Sequence, residues 1–318
     1  MQTGMRPATE HAPATPAGRS TVIRQGTITI ALDGSPAAAA AFPVAEALAK
    51  QAGLEIEALH VAVDRSALRE PSPLRYVAPA SANAVRLRVV EGDPAVQLLA
   101  AAADPRVALL VLTTHGGEIR DGGILSPISL MVAARAARPV LFIPPEIADH
   151  GGATNAVERV LVPLDGARAT AAALAPSMEL MERLRMRADL SFDVLFVFHP
   201  GGRASSVEDM AGPMYLDQPH HEWPGWKRRA AAWLRRSCPQ LPIDAPLHIF
   251  ASGVHTRAEV ARVIAEFGAR QRADLVLAVR TSAMQRGSGE VLRGVLRLAP
   301  CPVLLVPAAE QTTKGVGS

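Results

Sequence analysis

Lysine is almost missing from this chain of 318 residues: of its 33 basic side chains only Lys50, Lys227 and Lys314 are lysine, and the rest are arginine. The 30 acidic residues are scattered among them, so the formal net charge of +3 and the pI near 9.2 come without a run of like charge. Aromatic residues are only 4% of the chain. A nucleic-acid surface would cluster its cations and interleave aromatics, so nucleic acid is excluded as an expected partner. The two cysteines, Cys238 and Cys301, are too few and too far apart for a disulfide framework, and reduced thiols in a reducing compartment are expected. No run approaches the roughly 18 apolar residues of a membrane span, and the opening MQTGMRPATEHAPATPAGRS has no apolar segment for secretion. The chain is therefore expected to be cytoplasmic, with no membrane partner.

What is present is apolar material, 49% of the residues, in a length near twice that of an ordinary domain. Two domains are the natural reading, and the chain repeats itself. TITIALDGSPAAAAAFPVAEALA at 27–49 resembles VERVLVPLDGARATAAALAPSMELM at 157–181, which puts Asp33 opposite Asp165 at an offset of 132. Near the other end, Arg138-Pro-Val-Leu-Phe-Ile143 echoes Cys301-Pro-Val-Leu-Leu-Val306 at an offset of 163, so the second copy is longer by 31 residues. Gly92 and Gly253, offset by 161, place nearly all of the excess between Asp165 and Gly253, most naturally near 199–224.

Within each copy short Val, Ile and Leu runs alternate with longer segments of helical period, as in βαβ units on a parallel sheet. Strands are expected at 27–32, 54–63, 85–90, 107–113 and 139–143, then at 158–164, 191–198, 246–250, 274–280 and 302–306. Helices are expected near 35–52, 93–104, 126–137, 168–187, 223–237, 255–271 and 289–299. Runs such as ALLVLT and DLVLAV are apolar without alternation, which fits strands covered on both faces. The fold class is α/β, two doubly wound parallel five-stranded sheets. Pro71, Pro73 and Pro79 break any helix between the second and third strands, leaving a loop with one turn. The divisions are a disordered N-terminus at 1–24, a domain at 25–148, a linker at 149–156, a second domain at 157–308 and a disordered tail at 309–318.

Ligands of open parallel sheets bind beyond the carboxyl ends of the strands, where strand order reverses. Those ends supply Asp33, Gly34 and Ser35 in the first copy, with Thr113, Thr114, His115, Gly116 and Gly117 and a loop to a helix beginning at Ser126-Pro127. A phosphate there would meet free helix N–H groups and hydroxyls. The plainer reading makes Asp33 and Ser35 caps of the helix after the first strand and Ser126 the cap of the later one, and for Ser126-Pro127 taken alone capping is favoured. There is no Walker A sequence, no dinucleotide fingerprint after the first strand, no Gly-x-Ser-x-Gly elbow and no cysteine beside a base, so no catalytic nucleophile or base is visible. His199, His220 and His221 beside Asp217 and Glu222 match no closed zinc pattern, and no metal ligand set is assigned.

The ordered series of strand-Leu-Asp-Gly-helix, Leu59-His60-Val61, Gly92-x-Pro94, strand-Thr-Thr-His-Gly-Gly, helix and Arg-Pro-Val-Leu resembles the universal stress protein family. The second copy repeats it with Leu164-Asp165-Gly166, Leu195-Phe196-Val197 and Pro300-Cys301-Pro302-Val303, so the chain is similar to the tandem members. The resemblance implies an adenine nucleotide alpha hydrolase-like fold. It also implies a stress-response or signalling role and weak binding of ATP or another adenine nucleotide, with slow hydrolysis at most and no metal beyond nucleotide-associated Mg. The implied binding residues are Asp33, Gly34, Ser35, Val61, Thr113, Thr114, Gly116, Gly117 and Ser126. In the second copy they are Asp165, Gly166, Val197, Arg280, Gly287, Ser288 and Gly289. The phosphate loops depart from the family pattern: Thr113 and Pro127 stand where a Gly and a hydroxyl residue belong, and Glu290 stands after the last Gly of a shorter second loop. The resemblance further implies that the last strands of the two domains pair within the chain as a pseudo-two-fold pair, with homodimerisation beyond that. The alternative is a nucleotide-free scaffold that binds an unknown protein partner through the 199–224 insertion and the Trp- and Arg-rich helix at 223–237.

Overall fold

A computed structural model of the chain describes residues 26–63, 72–79, 81, 85–115, 125–144, 147, 157–164, 168–184, 190–197, 245–250, 256–280 and 289–308, with isolated positions between 225 and 239. The first half contains β1 (Thr27–Ala31), α1 (Pro36–Ala39), α2 (Phe42–Ala52), β2 (Glu55–Ala62), β3 (Arg86–Glu91), α3 (Pro94–Ala103), β4 (Val107–Thr113), α4 (Pro127–Arg135) and β5 (Val140–Ile143). The second contains β6 (Arg159–Leu164), α5 (Arg168–Arg183), β7 (Ser191–Val197), β8 (Leu247–Phe250), α6 (Arg257–Gln271), β9 (Leu275–Arg280), α7 (Glu290–Leu298) and β10 (Val303–Pro307). The linker, the 199–224 insertion, both chain ends and all three tryptophans lie outside the described residues, although Arg228, Ala231, Ala232, Arg235 and Arg236 are helical.

The strands form one sheet in the order β3-β2-β1-β4-β5-β10-β9-β6-β7-β8. Each half contributes five parallel strands in the same relative order, and the two sets merge where β5 pairs antiparallel with β10, Leu141 opposite Leu304. The central strands are apolar without alternation because helices cover both faces: β4 reads VALLVLT and every residue but Ala108 is buried. One face packs against α1, α2 and α5, with Ile28, Ile30, Phe42, Val111, Leu174, Met181 and Leu304 in one core cluster. The other packs against α3, α4, α6 and α7, with Leu98, Leu110, Val132, Phe142, Ile264, Val295 and Val303. Both clusters run across the β5–β10 seam, so the halves share their core.

The single helix expected over 35–52 is broken. Pro43, at the second position of α2, has no N–H for the carbonyl one turn back, so α1 ends at Ala39 and α2 starts afresh at Phe42. The expected helix at 168–187 ends at Arg183. Between β2 and β3 a turn forms over 72–77, with the Arg75 and Val77 N–H groups bonded to the Ser72 and Leu74 carbonyls. Val77 is buried in the core.

Candidate functional site

The chain leaves β1 toward β2 on one side and reaches β4 on the other, so a crevice opens between the carboxyl ends of β1 and β4. Its first wall is the loop after β1. Asp33 is exposed and its Oδ1 accepts the Ser35 N–H at 2.8 Å, closing an Asx turn through Gly34, whose φ of +80° is a conformation glycine adopts without strain. Ser35 Oγ in turn accepts the Ala38 N–H at 3.1 Å and caps α1. Gly34 is close-packed: a Cβ there would stand 3.6 Å from Pro73 Cα, so the 72–77 turn lies against this loop. Behind it His60 Nδ1 meets the Leu32 carbonyl at 2.8 Å, and Val61, half-buried, packs on the core at the end of β2.

The second wall follows β4. Thr113 and Thr114 are buried, and both hydroxyls are taken up locally: Thr113 Oγ1 donates to the His115 carbonyl at 2.6 Å, and Thr114 Oγ1 meets His115 Nδ1 at 2.8 Å. These two hydroxyls therefore support the turn rather than face a ligand. The other ring nitrogen of His115, Nε2, is buried with no hydrogen-bond partner, although the residue is only 8% exposed. A buried polar atom of this kind costs roughly 1–3 kcal/mol until something satisfies it. Ser126 is at the N-cap position of α4, yet its side chain makes no capping bond, contrary to the capping reading. Its N–H donates to the Thr114 carbonyl at 3.0 Å, which ties the helix start to the strand end. Ser129 Oγ donates to the Thr113 carbonyl at 2.8 Å and adds a second tie. Gly116 and Gly117 lie outside the described residues.

In the second half Asp165, Gly166, Gly287 and Ser288 lie outside the described residues. Val197 is buried at the end of β7, the position Val61 holds in the first half. Gly289 is the N-cap of α7 with a φ of +82°, and the Glu290 carboxylate in the first turn suits the helix dipole with no anion present. The Arg280 guanidinium reaches across to the other half. Its Nη1 donates to the Ala133 carbonyl at 2.8 Å and its Nη2 to the Ala136 carbonyl at 2.5 Å, both at the C-terminal end of α4 in the other half. Burial of the guanidinium lowers its pKa from the usual arginine value. The sequence signal for this was absent, because it lies in the seam between the halves and not in the spacing around Arg280. Among the described residues no cluster of three or more His, Cys, Asp or Glu side chains forms, and no helix is long and apolar enough to cross a membrane.

No curated protein matches the sequence. Among solved structures, a universal stress protein from Archaeoglobus fulgidus DSM 4304 is similar over 89% of this chain and 98% of its own, with a TM-score of 0.55 at 17% identity. A functionally unknown protein from Pseudomonas aeruginosa PAO1 is similar over 89% of this chain and 93% of its own, with a TM-score of 0.54 at 11% identity. A universal stress protein in complex with cAMP matches 49% of this chain and 100% of its own, at 15% identity and a TM-score of 0.29. The sequence model of the universal stress protein family matches residues 26–144. Those residues are a universal stress protein domain, with the adenine nucleotide alpha hydrolase-like fold, and the second half of the chain repeats its strand order.

Proposed function

We propose that the chain is a tandem universal stress protein that binds an adenine nucleotide weakly in the first half's crevice, and that it serves stress response or signalling by binding rather than by turnover. The observation that carries this reading is the pair of unused groups at the β4–α4 end of the crevice, the His115 Nε2 and the uncapped Ser126 hydroxyl. Beside them the first turn of α4 presents N–H groups that have no acceptor within the helix, a natural seat for an anion. Asp33 and Val61 flank the other end, where a ribose and a base would lie. The taking up of both threonine hydroxyls by His115 removes two phosphate partners, which is why the binding is weak.

Titration calorimetry with ATP and with AMP tests the reading: heat with a dissociation constant in the micromolar to millimolar range is expected. Ser126→Ala should weaken it about tenfold while leaving the unfolding temperature unchanged, and Asp33→Ala should weaken it as much while lowering that temperature, because it also loses the bond to the Ser35 N–H. Absence of heat at millimolar nucleotide with folded protein rejects the reading and leaves the rival, a nucleotide-free scaffold. The same engaged threonine hydroxyls favour that rival. Its own test is deletion of 200–222, which should abolish partner capture with the fold intact.

A further inference from the structure

We propose that Arg280 is a positioning residue for the first half: the second half lends its strand-end arginine to hold α4, the helix whose other end borders the first half's crevice. The crossover from β4 to β5 makes α4 run against the strand direction, so its N-terminus lies by the carboxyl end of β4 and its C-terminus by the start of β5. Because β5 and β10 are antiparallel, the start of β5 lies beside the end of β10, with Val140 opposite Leu305. Pro307 of β10 pairs with Arg280 of β9, and from there the guanidinium spans the seam to the α4 C-terminus. One nine-residue helix, about 13 Å long, thus has one end at the first crevice and the other in the grip of the second half.

The chemistry suits a clamp. The last carbonyls of a helix have no partner within it, and a cation at that end also opposes the negative end of the dipole. The turn closing α4 at Ala136 has neither a glycine nor a left-handed residue to cap it, and Arg280 takes the Ala133 and Ala136 carbonyls in its place. The arrangement is one-sided. Thr113 pairs with Ile143 and Val279 with Val306, so the repeat mate of Arg280 is Thr114. Thr114 is fully buried and bonded to His115, and it lends nothing to α7. The arginine that charge counting assigns to a second anion site is spent on the first half's helix.

The link to the crevice rests on the reading of that crevice as the ligand site, so the test has two arms, both on the full chain. In hydrogen–deuterium exchange, Arg280→Met, which keeps the aliphatic stem, should raise exchange of the α4 amides by about tenfold or more and leave β1 and β6 protected. Arg280→Lys should fall between Met and Arg, and it replaces the Met variant should that one not fold. Unchanged α4 exchange in a folded variant overturns the clamp whether or not any nucleotide binds. In titrations, Arg280→Met should weaken ATP and AMP by the same factor, about three- to tenfold, because the residue acts through the helix and touches neither. A loss much larger for ATP than for AMP makes Arg280 a phosphate ligand and overturns the proposal. Failure of the wild-type chain to bind either nucleotide overturns the ligand reading alone, and the exchange arm then decides the clamp.

Discussion

Thr29 is fully buried in β1 with its hydroxyl unpartnered, the second such atom besides His115 Nε2 among the described residues. Thr29→Val keeps the shape and removes the orphan, so it should stabilise the protein by about 1 kcal/mol, read as a higher urea midpoint at unchanged slope. Cys301 is free and buried, and desolvation, helped by the Asp274 charge, pushes its thiol up to about 12. At pH 8 its thiolate is scarce. Alkylation of the Cys301 peptide, followed by mass spectrometry, should be slow in the folded protein and rapid once it is denatured. Hydrogen bonds from the Arg106 side chain and N–H hold the Asp104 carboxyl down at about 2. A depressed folded pKa stabilises above the unfolded value and is lost on acidification, so the stability gap between wild type and Asp104→Asn should vanish as pH falls from 4 toward 2. At this scale the sequence was only partly informative. Ser35 is legible because a cap is local, made within three residues, whereas Asp33, expected to cap with it, closes the turn before the helix. The partners of Thr113, Thr114 and Arg280 are not legible, since a hydroxyl or guanidinium beside a candidate loop counts as a ligand group until its neighbours are known.

The helices differ in how their ends are closed. Thr256 and Glu259 form a complete capping box at α6, with the Glu259 N–H on Thr256 Oγ1 and the Thr256 N–H on Glu259 Oε2. Removing the side-chain oxygen at Thr256 or at Ser35 should cost about 1 kcal/mol in either alanine variant. Ser126→Ala should leave the melting temperature where it is, since no cap bond exists to lose. Most elements were readable because a strand covered on both faces is an uninterrupted apolar run and a helix shows its period. The break at Ala40 was not, because an alanine-rich stretch looks continuous and the effect of Pro43 falls four residues upstream. Strand pairs repeat in kind as well as in order. Glu57 on β2 bonds Arg88 on β3 at 2.8 Å, and Asp193 on β7 bonds His248 on β8 at 3.0 Å, at equivalent registers of the two halves. Each outermost strand is thus pinned by an acid on its neighbour.

The whole molecule is organised by the β5–β10 seam. The repeated strand order was legible from offsets of matched residues, and the pairing was implied by the family resemblance. That both core clusters run through the seam was not legible, because it depends on which helices share a face. A shared core makes a definite prediction: with a protease site placed in 149–156 and cut, the two pieces should still elute together at the size of the intact 33.5 kDa chain. Leu304→Asp, a charge at a fully buried seam position, should instead cost more than 3 kcal/mol and leave the protein unfolded or aggregated on a thermal melt. The seam also sets an order in time. Its strands stand more than 150 residues apart in sequence, and synthesis at roughly 5–20 residues per second brings β10 out of the ribosome on the order of ten seconds or more after β5. Throughout that interval the nascent first half displays Val140–Ile143 as a bare apolar edge, so the growing chain is most exposed to mispairing with its neighbours on the same messenger just before its final strand arrives.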